Sequence, residues 1–407
     1  MSPITPFKIF FTDDKIKRLK QKLALTDFPE EVLDANEPWS RGSPLADVKR
    51  LALYWKTEFD WRKAETVLNE FPQYMTQIEV DGFDMYNVHF VHQPSAVNNA
   101  IPLLFVHGWP GSFIEVTKIL PHLVEGDKDS PAFHVVAPSL INFGFSSASK
   151  KKSFNVDQHA NTCHKLMQTL SYNEYVVQGG DFGYLVARFI ALKYGPKHCK
   201  AYHINSAAPS EPTATSHPDL YAKVKDTPLS ETEIAGLQRA ALFSKEGNAY
   251  HQLQVTKPQT IAYSLTDSPV GLLAWIYEKL HDWSDKYPWT DDEILTWVSI
   301  YYFSTAGAAA TTHVYYEMEH RQPAAFPAAQ VYIDVPLGVA RFSKDLVLLP
   351  KLWNHTMGPI VFESEYESGG HFAAWERPDA VIGDLRAMFK EGGGAHTCIT
   401  TRSGYED

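Results

Sequence analysis

The residues most able to do chemistry lie in one short stretch, Gly179-Gly180-Asp181-Phe182-Gly183. The β-branched residues Val176 and Val177 precede it, and an apolar helical pattern follows it. These features predict a strand, a tight turn and a helix, with Asp181 at the turn. Glycines two positions before and two after a turn residue relieve crowding where the backbone comes close. Asp181 is therefore predicted to be presented as a nucleophile at the end of a strand.

A carboxylate at this position determines the chemistry that is available. A serine that attacks a saturated carbon would form an ether, whereas a carboxylate forms an ester, which activated water hydrolyses. An aspartate with the usual pKa of about 3.9 is ionised at neutral pH and needs no base to become nucleophilic. The sequence therefore favours alkyl transfer from an epoxide or an alkyl halide over acyl transfer. The alternative is an ordinary aspartate in a glycine-rich turn.

A histidine and a carboxylate that could activate water follow later in the chain. His371 comes directly after the last predicted strand, and in hydrolases with such a turn the chain order is nucleophile, acid, histidine. Asp345 follows a strand predicted to end near Val335, so its side chain could reach the histidine. We expect Asp345 to be the acid, because a carboxylate within a strand would face the sheet. The other candidates lie in strands or at a strand's exit: Asp334, Glu363, Glu365 and Glu367.

The loop after the predicted strand 101–106 reads His107-Gly108-Trp109-Pro110. In hydrolases of this kind, that loop supplies one backbone N–H to an oxyanion, and the residue after the nucleophile supplies the other. We therefore predict an oxyanion hole formed by the N–H groups of Trp109 and Phe182. The alternative is an ordinary turn at the end of a strand.

Strands and helices alternate around these residues, which predicts an α/β protein. A helix is predicted over 156–170, and the Asp81-Gly82 turn joins the first two strands as a hairpin. The pattern is that of the α/β-hydrolase fold, with a mostly parallel central sheet flanked by helices. Strands are predicted at 77–80, 84–92, 101–106, 133–136, at Val176 and Val177, at 201–205, 331–335 and 359–366.

Changes in pattern divide the chain into five predicted segments. Residues 1–75 form an N-terminal helical meander, and 76–205 form the first part of the hydrolase core. The alternation of strands and helices stops over 206–327, which predicts a helical lid inserted between sheet strands. The core resumes over 328–391, and the glycine-rich tail 392–407 is predicted to be disordered.

Composition excludes several classes of protein. The chain has 407 residues, 44% hydrophobic and 21% charged, which is typical of a globular protein with one large core and insertions. A formal net charge of −11 argues against nucleic acid as a partner. The three cysteines are too few and too widely spaced for a disulfide framework or a metal site. We expect a soluble, cytoplasmic protein with no membrane span, no metal and no cofactor.

The chain resembles the microsomal-type epoxide hydrolases, including their soluble fungal members, over nearly its whole length. The N-terminal tryptophans and parts of the lid, 256–258 and 267–274, share in this resemblance. The stretches that carry it are His107-Gly108-Trp109-Pro110-Gly111-Ser112, Gly179-Gly180-Asp181-Phe182-Gly183 and Gly369-Gly370-His371-Phe372-Ala373-Ala374-Trp375-Glu376-Arg377-Pro378.

The resemblance implies that a small-molecule epoxide is converted to a vicinal diol without a cofactor. Asp181 matches the nucleophile of the family and His371 the base that activates water. Asp345 matches the charge-relay acid of the soluble fungal members, whereas the membrane-bound members carry a glutamate there. A homodimer is a further expectation from the family.

The resemblance also implies two lid tyrosines that donate hydrogen bonds to the epoxide oxygen. Tyr250 matches the first and Tyr315 the second, with the adjacent Tyr316 as an alternative. The chain departs from the family at Ile141-Asn142, where a Pro-Gly pair is usual. We also expect no counterpart of the N-terminal membrane anchor of the microsomal enzymes.

Three other functions compete with this interpretation. Haloalkane dehalogenases use the same types of catalytic residue, an aspartate nucleophile, a histidine and an acid. As halide-binding donors, however, they commonly have Asn where Trp109 stands and Trp where Phe182 stands. A serine esterase would need a Gly-x-Ser-x-Gly motif, and Gly144-Phe145-Ser146-Ser147-Ala148 is the nearest approach. A hydrolase-fold binding protein would be expected to lose a catalytic position, yet each position has a candidate.

Overall fold

The computed structural model describes residues 2–32 and 37–406, and a nine-stranded sheet organises this part of the chain. The order of the strands across the sheet is β1-β2-β3-β5-β4-β6-β7-β8-β9. The strands are β1 (Thr5–Pro6), β2 (Gln73–Glu79), β3 (Met85–Gln93), β4 (Ile101–Val106), β5 (Phe133–Pro138), β6 (Tyr175–Gly179), β7 (Cys199–Ile204), β8 (Leu337–Phe342) and β9 (Ile360–Tyr366).

The sheet is antiparallel at one edge and parallel over the rest, which confirms the predicted fold class. Strands β1, β2, β3 and β5 pair antiparallel in that order, and the pairs from β5 through β4 to β9 are parallel. Every residue of β4, β5, β6 and β8 is buried. Strands covered on both faces read as continuous apolar runs, which explains why 101–106 was recognisable from sequence.

Helices cover both faces of the sheet and fill the long insertion before β8. Helix α5 begins at a capping box formed by Asn155 and Gln158, in which each side chain accepts a backbone N–H at the start of the helix. The helices are α1 (Asp13–Ala24), α2 (Leu45–Thr57), α3 (Trp61–Leu68), α4 (Leu120–Val124), α5 (Val156–Thr169), α6 (Phe182–Tyr194), α7 (Pro218–Asp226), α8 (Glu231–Leu242), α9 (Ala249–Thr256), α10 (Pro258–Asp267), α11 (Pro269–Asp282), α12 (Asp291–Tyr302), α13 (Thr312–Glu319), α14 (Ala325–Ala329), α15 (Ala373–Glu376) and α16 (Pro378–Phe389). Short 3-10 helices span Phe113–Lys118 and Lys351–Thr356, and a π-helical turn spans Phe243–Gly247.

Helices α7 to α14 lie between β7 and β8 and are joined to the core through α12. The indole of Trp297 donates a hydrogen bond to the carbonyl of Pro110, and the Tyr301 hydroxyl donates to that of Gly111 at 2.7 Å. Both acceptors belong to the loop after β4. The insertion is thereby held against the loop predicted to stabilise an oxyanion.

The strand predicted over 331–335 is wrong, because the chain pairs with the sheet only from Leu337. Residues 331–335 precede Pro336, which has no N–H to give to a sheet ladder. Asp334 therefore lies outside the strands, and Asp345 follows the end of β8 by three residues. The strand was predicted too early in the chain, but Asp345 lies in the loop after the strand, as predicted.

Two other expectations differ from the structure at the chain's ends. The N-terminal segment, expected to be helical to residue 75, contains β1 and the start of β2, with Thr5 paired to Met75. A two-residue strand is too short to show a period in sequence. In the tail, the expected disorder is corrected: Ala395 and Ile399 are buried, and the carbonyl of Gly404 accepts a hydrogen bond from Ala132 N–H at 2.8 Å.

None of the helices among residues 2–32 and 37–406 is long and apolar enough to cross a membrane.

Candidate active site

Asp181 lies on a strained turn between β6 and α6. Its φ of 50° and ψ of −127° fall outside the regions that L-residues favour. Helix and strand approach so closely here that a Cβ on Gly183 would lie 2.0 Å from the carbonyl oxygen of Val106. A Cβ on Gly179 would lie 2.4 Å from the oxygen of Gly183. These two glycines allow the turn that exposes the Asp181 carboxylate.

The predicted acid, histidine and nucleophile come together in one hydrogen-bonded chain. Nε2 of His371 lies 3.0 Å from Oδ2 of Asp181, and Nδ1 of His371 lies 2.7 Å from Oδ1 of Asp345. The three residues follow β9, β6 and β8, whose carboxyl ends meet at one edge of the parallel sheet. A carboxylate bonded to Nδ1–H leaves Nε2 to exchange protons with the nucleophile or with water.

Further polar groups orient Asp345. Its Oδ2 accepts a hydrogen bond from the hydroxyl of Ser206 at 3.0 Å, and its Oδ1 accepts one from the N–H of Leu346 at 2.7 Å. The carboxylate therefore has partners on both oxygens, which fixes its direction toward the imidazole.

The loop around His371 is tied to the lid. The N–H of His371 donates to the carbonyl of Trp283 at 2.8 Å, and the two rings meet edge to face with 5.1 Å between centroids. The Glu376 carboxylate accepts from the N–H groups of Gly370 and Phe372, on either side of the histidine. These contacts hold the backbone around His371 from both sides.

Trp109 supplies the N–H predicted for it, which donates to Oδ1 of Asp181 at 2.7 Å. An oxyanion formed at the Asp181 carboxyl carbon would meet this donor. Phe182, the second predicted donor, makes no hydrogen bond from its N–H to that carboxylate in the described part of the chain. Its ring packs edge to face on His159, with 5.0 Å between centroids.

The lid brings two tyrosines to the cavity that contains Asp181. The rings of Tyr250 and Tyr315 meet edge to face, 5.9 Å apart, and both line the cavity that contains Asp181. Tyr316 does not line this cavity and stacks on His320 instead, with 3.8 Å between ring centroids. The structure therefore places Tyr315, rather than its neighbour, at the site.

The cavity has a volume of about 150 Å³, and its wall is mostly apolar. Its polar groups are Asp181, Tyr250, Tyr315, His371 and Asp345, with Ser206, His251 and Tyr184. The apolar part of the wall consists of Phe182, Leu185, Ala207, Ala208, Phe243, Met318, Phe326, Leu346 and Val347. An apolar wall with a few convergent polar groups suits a compact, uncharged ligand.

The site shifts several pKa values in directions that suit these groups. Burial lowers the pKa of His371, but the negative charges of Asp345 and Asp181 and the hydrogen bonds with them outweigh it and raise the pKa to about 10. Burial, followed by the negative charge of Asp181, raises the pKa of both Tyr250 and Tyr315. Both phenols are therefore protonated at neutral pH and can donate hydrogen bonds.

His107, the first residue of its motif, has a structural role. Its Nδ1–H donates to the carbonyl of Gly108 at 3.0 Å, and its Nε2 accepts from the N–H of Leu140 at 3.1 Å. Burial lowers its pKa to about 4, so the ring is neutral and joins two loops of the site.

The departure at Ile141-Asn142 keeps the backbone shape that glycine would allow. Asn142 has a φ of 73°, a left-handed conformation that Asn tolerates better than most residues. Its Oδ1 accepts a hydrogen bond from the N–H of Ser149 at 2.7 Å, which stabilises the loop.

Sequence reasoning missed several residues at the site. Trp283 and Ser206 carry no local signal, because only folding brings the lid and the loop after β7 to the catalytic chain. Glu115 did offer a signal, because it is a charged residue between the apolar residues Ile114 and Val116. Glu376 stands beside the charged Arg377, and nothing in its motif indicates its role. In the described part of the chain, no group of three or more His, Cys, Asp or Glu side chains could hold a metal ion.

Comparison with known proteins agrees with this geometry. A family model described as the epoxide hydrolase N terminus matches residues 4–116, and one for the alpha/beta hydrolase fold matches residues 101–289. A protein of Stigmatella aurantiaca is 38% identical over 95% of this chain and 85% of its own length. Epoxide hydrolase 1 of Sus scrofa is 32% identical over 94% of this chain and 88% of its own. The chain belongs to the epoxide hydrolase family.

Solved structures of epoxide hydrolases have the same fold as this family member. The Aspergillus niger epoxide hydrolase matches with a TM-score of 0.80 at 33% identity, covering 94% of this chain and 95% of that chain. The juvenile hormone epoxide hydrolase of Bombyx mori matches with a TM-score of 0.85 at 28% identity, covering 95% of this chain and 93% of that chain.

Proposed function

We propose that this protein hydrolyses epoxides to vicinal diols through a covalent ester on Asp181. The observation that carries the proposal is the cavity in which the Asp181 carboxylate and two protonated lid tyrosines meet. A nucleophile and hydrogen-bond donors that meet at one small ligand fit an attack on carbon with simultaneous release of oxygen.

In the first half of the reaction, a carboxylate oxygen of Asp181 attacks one epoxide carbon, and the bond from that carbon to the epoxide oxygen breaks. The negative charge passes from the carboxylate to the released oxygen. Tyr250 and Tyr315 donate hydrogen bonds to this alkoxide. The product is a hydroxyalkyl ester on Asp181.

Formation of the ester also prepares the base. Esterification removes the negative charge of Asp181, one of the interactions that raise the pKa of His371. The pKa of the imidazolium falls, and the proton that it releases balances the one taken up by the alkoxide. Neutral His371, oriented by Asp345, is then able to accept a proton from water.

In the second half, that water attacks the carboxyl carbon of the ester while its proton passes to Nε2 of His371. The N–H of Trp109 stabilises the resulting oxyanion. The bond between the carboxyl carbon and the diol oxygen then breaks, and this oxygen takes a proton from His371. The diol leaves with one oxygen from Asp181, and the Asp181 carboxyl keeps the oxygen of the water. The remaining proton of that water passes from the Asp181 carboxylic acid to His371, which restores the carboxylate and the imidazolium.

The substrate we propose is an uncharged epoxide with a compact apolar substituent. A cavity of about 150 Å³ is smaller than the ~300–1,000 Å³ typical of pockets for larger ligands. A charged substituent would lose its hydration against an apolar wall without a partner.

Haloalkane dehalogenation is not favoured. The Phe182 side chain has no group that could donate a hydrogen bond to a departing halide, whereas the tyrosine hydroxyls suit an alkoxide. The named relatives in mammals, insects and fungi are epoxide hydrolases.

The decisive experiment compares wild type with Asp181→Asn and His371→Gln on aryl and alkyl epoxides. Wild type should form diol, Asp181→Asn should form neither diol nor ester, and His371→Gln should accumulate protein heavier by the mass of one epoxide. A single turnover in H₂¹⁸O should place the label in Asp181 rather than in the diol. Label in the diol of that first turnover would contradict an ester intermediate.

The homodimer expected from the family and the cytoplasmic location expected from the composition stay predictions. Sedimentation of the purified protein measures the former, and fractionation of cells measures the latter.

A further inference from the structure

A second, smaller cavity lies against the same nucleophile and base. Asp181 and His371 line it together with Glu115, Gln178 and Asn205. Neither lid tyrosine takes part in its wall. It leaves about 10 Å³ for a water centre, the room that one water molecule needs.

Two oxygens at this cavity have no hydrogen-bond partner among the described residues. They are Oε1 of Gln178 and Oε1 of Glu115, and both are inaccessible to solvent. The Gln178 amide is fixed, because its Nε2 donates to Oδ1 of Asn205 at 2.7 Å. A buried acceptor without a partner costs free energy, and a water molecule is the usual remedy.

The backbone makes room for the Glu115 carboxyl. A Cβ on Gly111 would lie 1.7 Å from Oε1 of Glu115, so the carboxyl occupies space that any other residue at 111 would fill. Burial, then the negative charge of Asp181, raises the pKa of Glu115 to about 8, partly offset by His371 and by the N–H groups of Ser112 and Gly108. The Glu115 carboxyl therefore lies close enough to Asp181 and His371 for their charges to shift its pKa.

We propose that Glu115 and Gln178 are positioning residues that hold the water which hydrolyses the ester on Asp181. The inference rests on the proposed function. Oε1 of Gln178, on β6, accepts one hydrogen of this water, and the protonated carboxyl of Glu115, on the 3-10 helix after β4, donates to the water's oxygen. The water's remaining hydrogen points to Nε2 of His371, and its oxygen attacks the carboxyl carbon as described above.

The test separates the two halves of the reaction in single turnovers. Glu115→Leu and Gln178→Met remove the polar oxygens at similar volume, and Glu115→Gln keeps one oxygen in place. Protein mass against time gives the rate of ester formation and then the rate of ester hydrolysis. Misplacement of a reacting group by about 1 Å can cost on the order of 100-fold in rate.

We expect ester hydrolysis to be about 10- to 100-fold slower in Glu115→Leu and Gln178→Met, with ester formation within about twofold of wild type. Glu115→Gln should recover most of the hydrolysis rate. Gly111→Ala, which displaces the Glu115 carboxyl, should behave like Glu115→Leu. Normal ester formation in a variant also shows that its site is folded.

The matched control is Asn354→Leu. Asn354 is a buried amide with one unpaired oxygen and one hydrogen bond from its nitrogen, to Glu363, but it lines neither cavity. Both rates should stay within about twofold of wild type. Unchanged hydrolysis in the cavity variants, or an equal loss of both rates, would overturn the inference. Wild type that forms no ester would overturn the proposed function as well.

Discussion

The indole of Trp109 stacks on the phenol of Tyr250, with 5.1 Å between ring centroids and 8° between planes. The same residue donates its backbone N–H to the Asp181 carboxylate at 2.7 Å. Its ring also meets Tyr315 edge to face at 5.6 Å. One residue of the loop after β4 thus contacts the proposed nucleophile through its backbone and both lid tyrosines through its side chain.

Because of this double role, we expect Trp109→Phe to slow the first half of the reaction, ester formation, and to leave ester hydrolysis nearly unchanged. The backbone donor remains, while the contacts with both tyrosines weaken. Because each aromatic contact contributes about 0.5–1.5 kcal/mol, ester formation should slow by roughly 3- to 10-fold and ester hydrolysis little. Single-turnover rates measure both, with Trp353→Phe as a control outside the site. Equal slowing of the two halves would contradict the assignment.

The tyrosines should act on the departing epoxide oxygen. A hydrogen bond to a charged group contributes about 1.5–3 kcal/mol, so Tyr250→Phe and Tyr315→Phe should each slow ester formation by roughly 10- to 150-fold. The double substitution should nearly abolish it. Tyr316→Phe should have no effect, because its ring stacks on His320 outside the cavity. A large effect at Tyr316 would mean that the second donor is misassigned.

Glu115 should make stability depend on pH. Its pKa is about 8 in the folded protein and near 4.5 when unfolded, so the folded state binds more protons between these values. Its contribution to stability is complete below about pH 4.5 and is lost as the pH rises to about 8. Glu115→Gln removes this dependence, while the other groups, His371 included, are common to both proteins.

Urea unfolding of wild type and Glu115→Gln at several pH values measures the difference. The free energy of unfolding of the variant, relative to that of wild type, should increase by up to about 1.4 kcal/mol per pH unit between those two pKa values. Below the lower pKa, this difference should not change with pH. A difference independent of pH would show that the Glu115 carboxyl titrates normally in the folded protein.

Substitution by alanine should have opposite effects on the stability of the fold at two glycines. A Cβ on Gly183 would meet the Val106 carbonyl oxygen at 2.0 Å, so Gly183→Ala should destabilise the fold by about 2 kcal/mol or more. Gly383 is exposed within α16 and a Cβ there meets nothing within 4 Å, so Gly383→Ala should stabilise by about 0.5–1 kcal/mol. Thermal unfolding of both variants checks the contrast. A stable Gly183→Ala would mean that the turn at Asp181 can relax.

Those parts of the fold were predictable in which a single segment has a recognisable sequence pattern. The strand 101–106 has the predicted bounds because it is buried on both faces, and the turn at Asp181 follows from its glycines. The strand β8 was misplaced because its residues include Gly338 and Arg341, and its pairing depends on β7 and β9 rather than on its own pattern.

The sequence alone indicated the kind of chemistry, because an aspartate between glycines at the end of a strand can form an ester on carbon but needs a separate base. It also predicted the order in which the proposed nucleophile, acid and base occur along the chain. Which side chains meet became clear only from the folded arrangement. The Tyr315 ring faces the cavity while Tyr316 turns to His320, and Glu115 fits over Gly111 beside a glutamine from β6. These relations depend on where separate elements pack against each other, and neither residue type nor spacing in one segment specifies that.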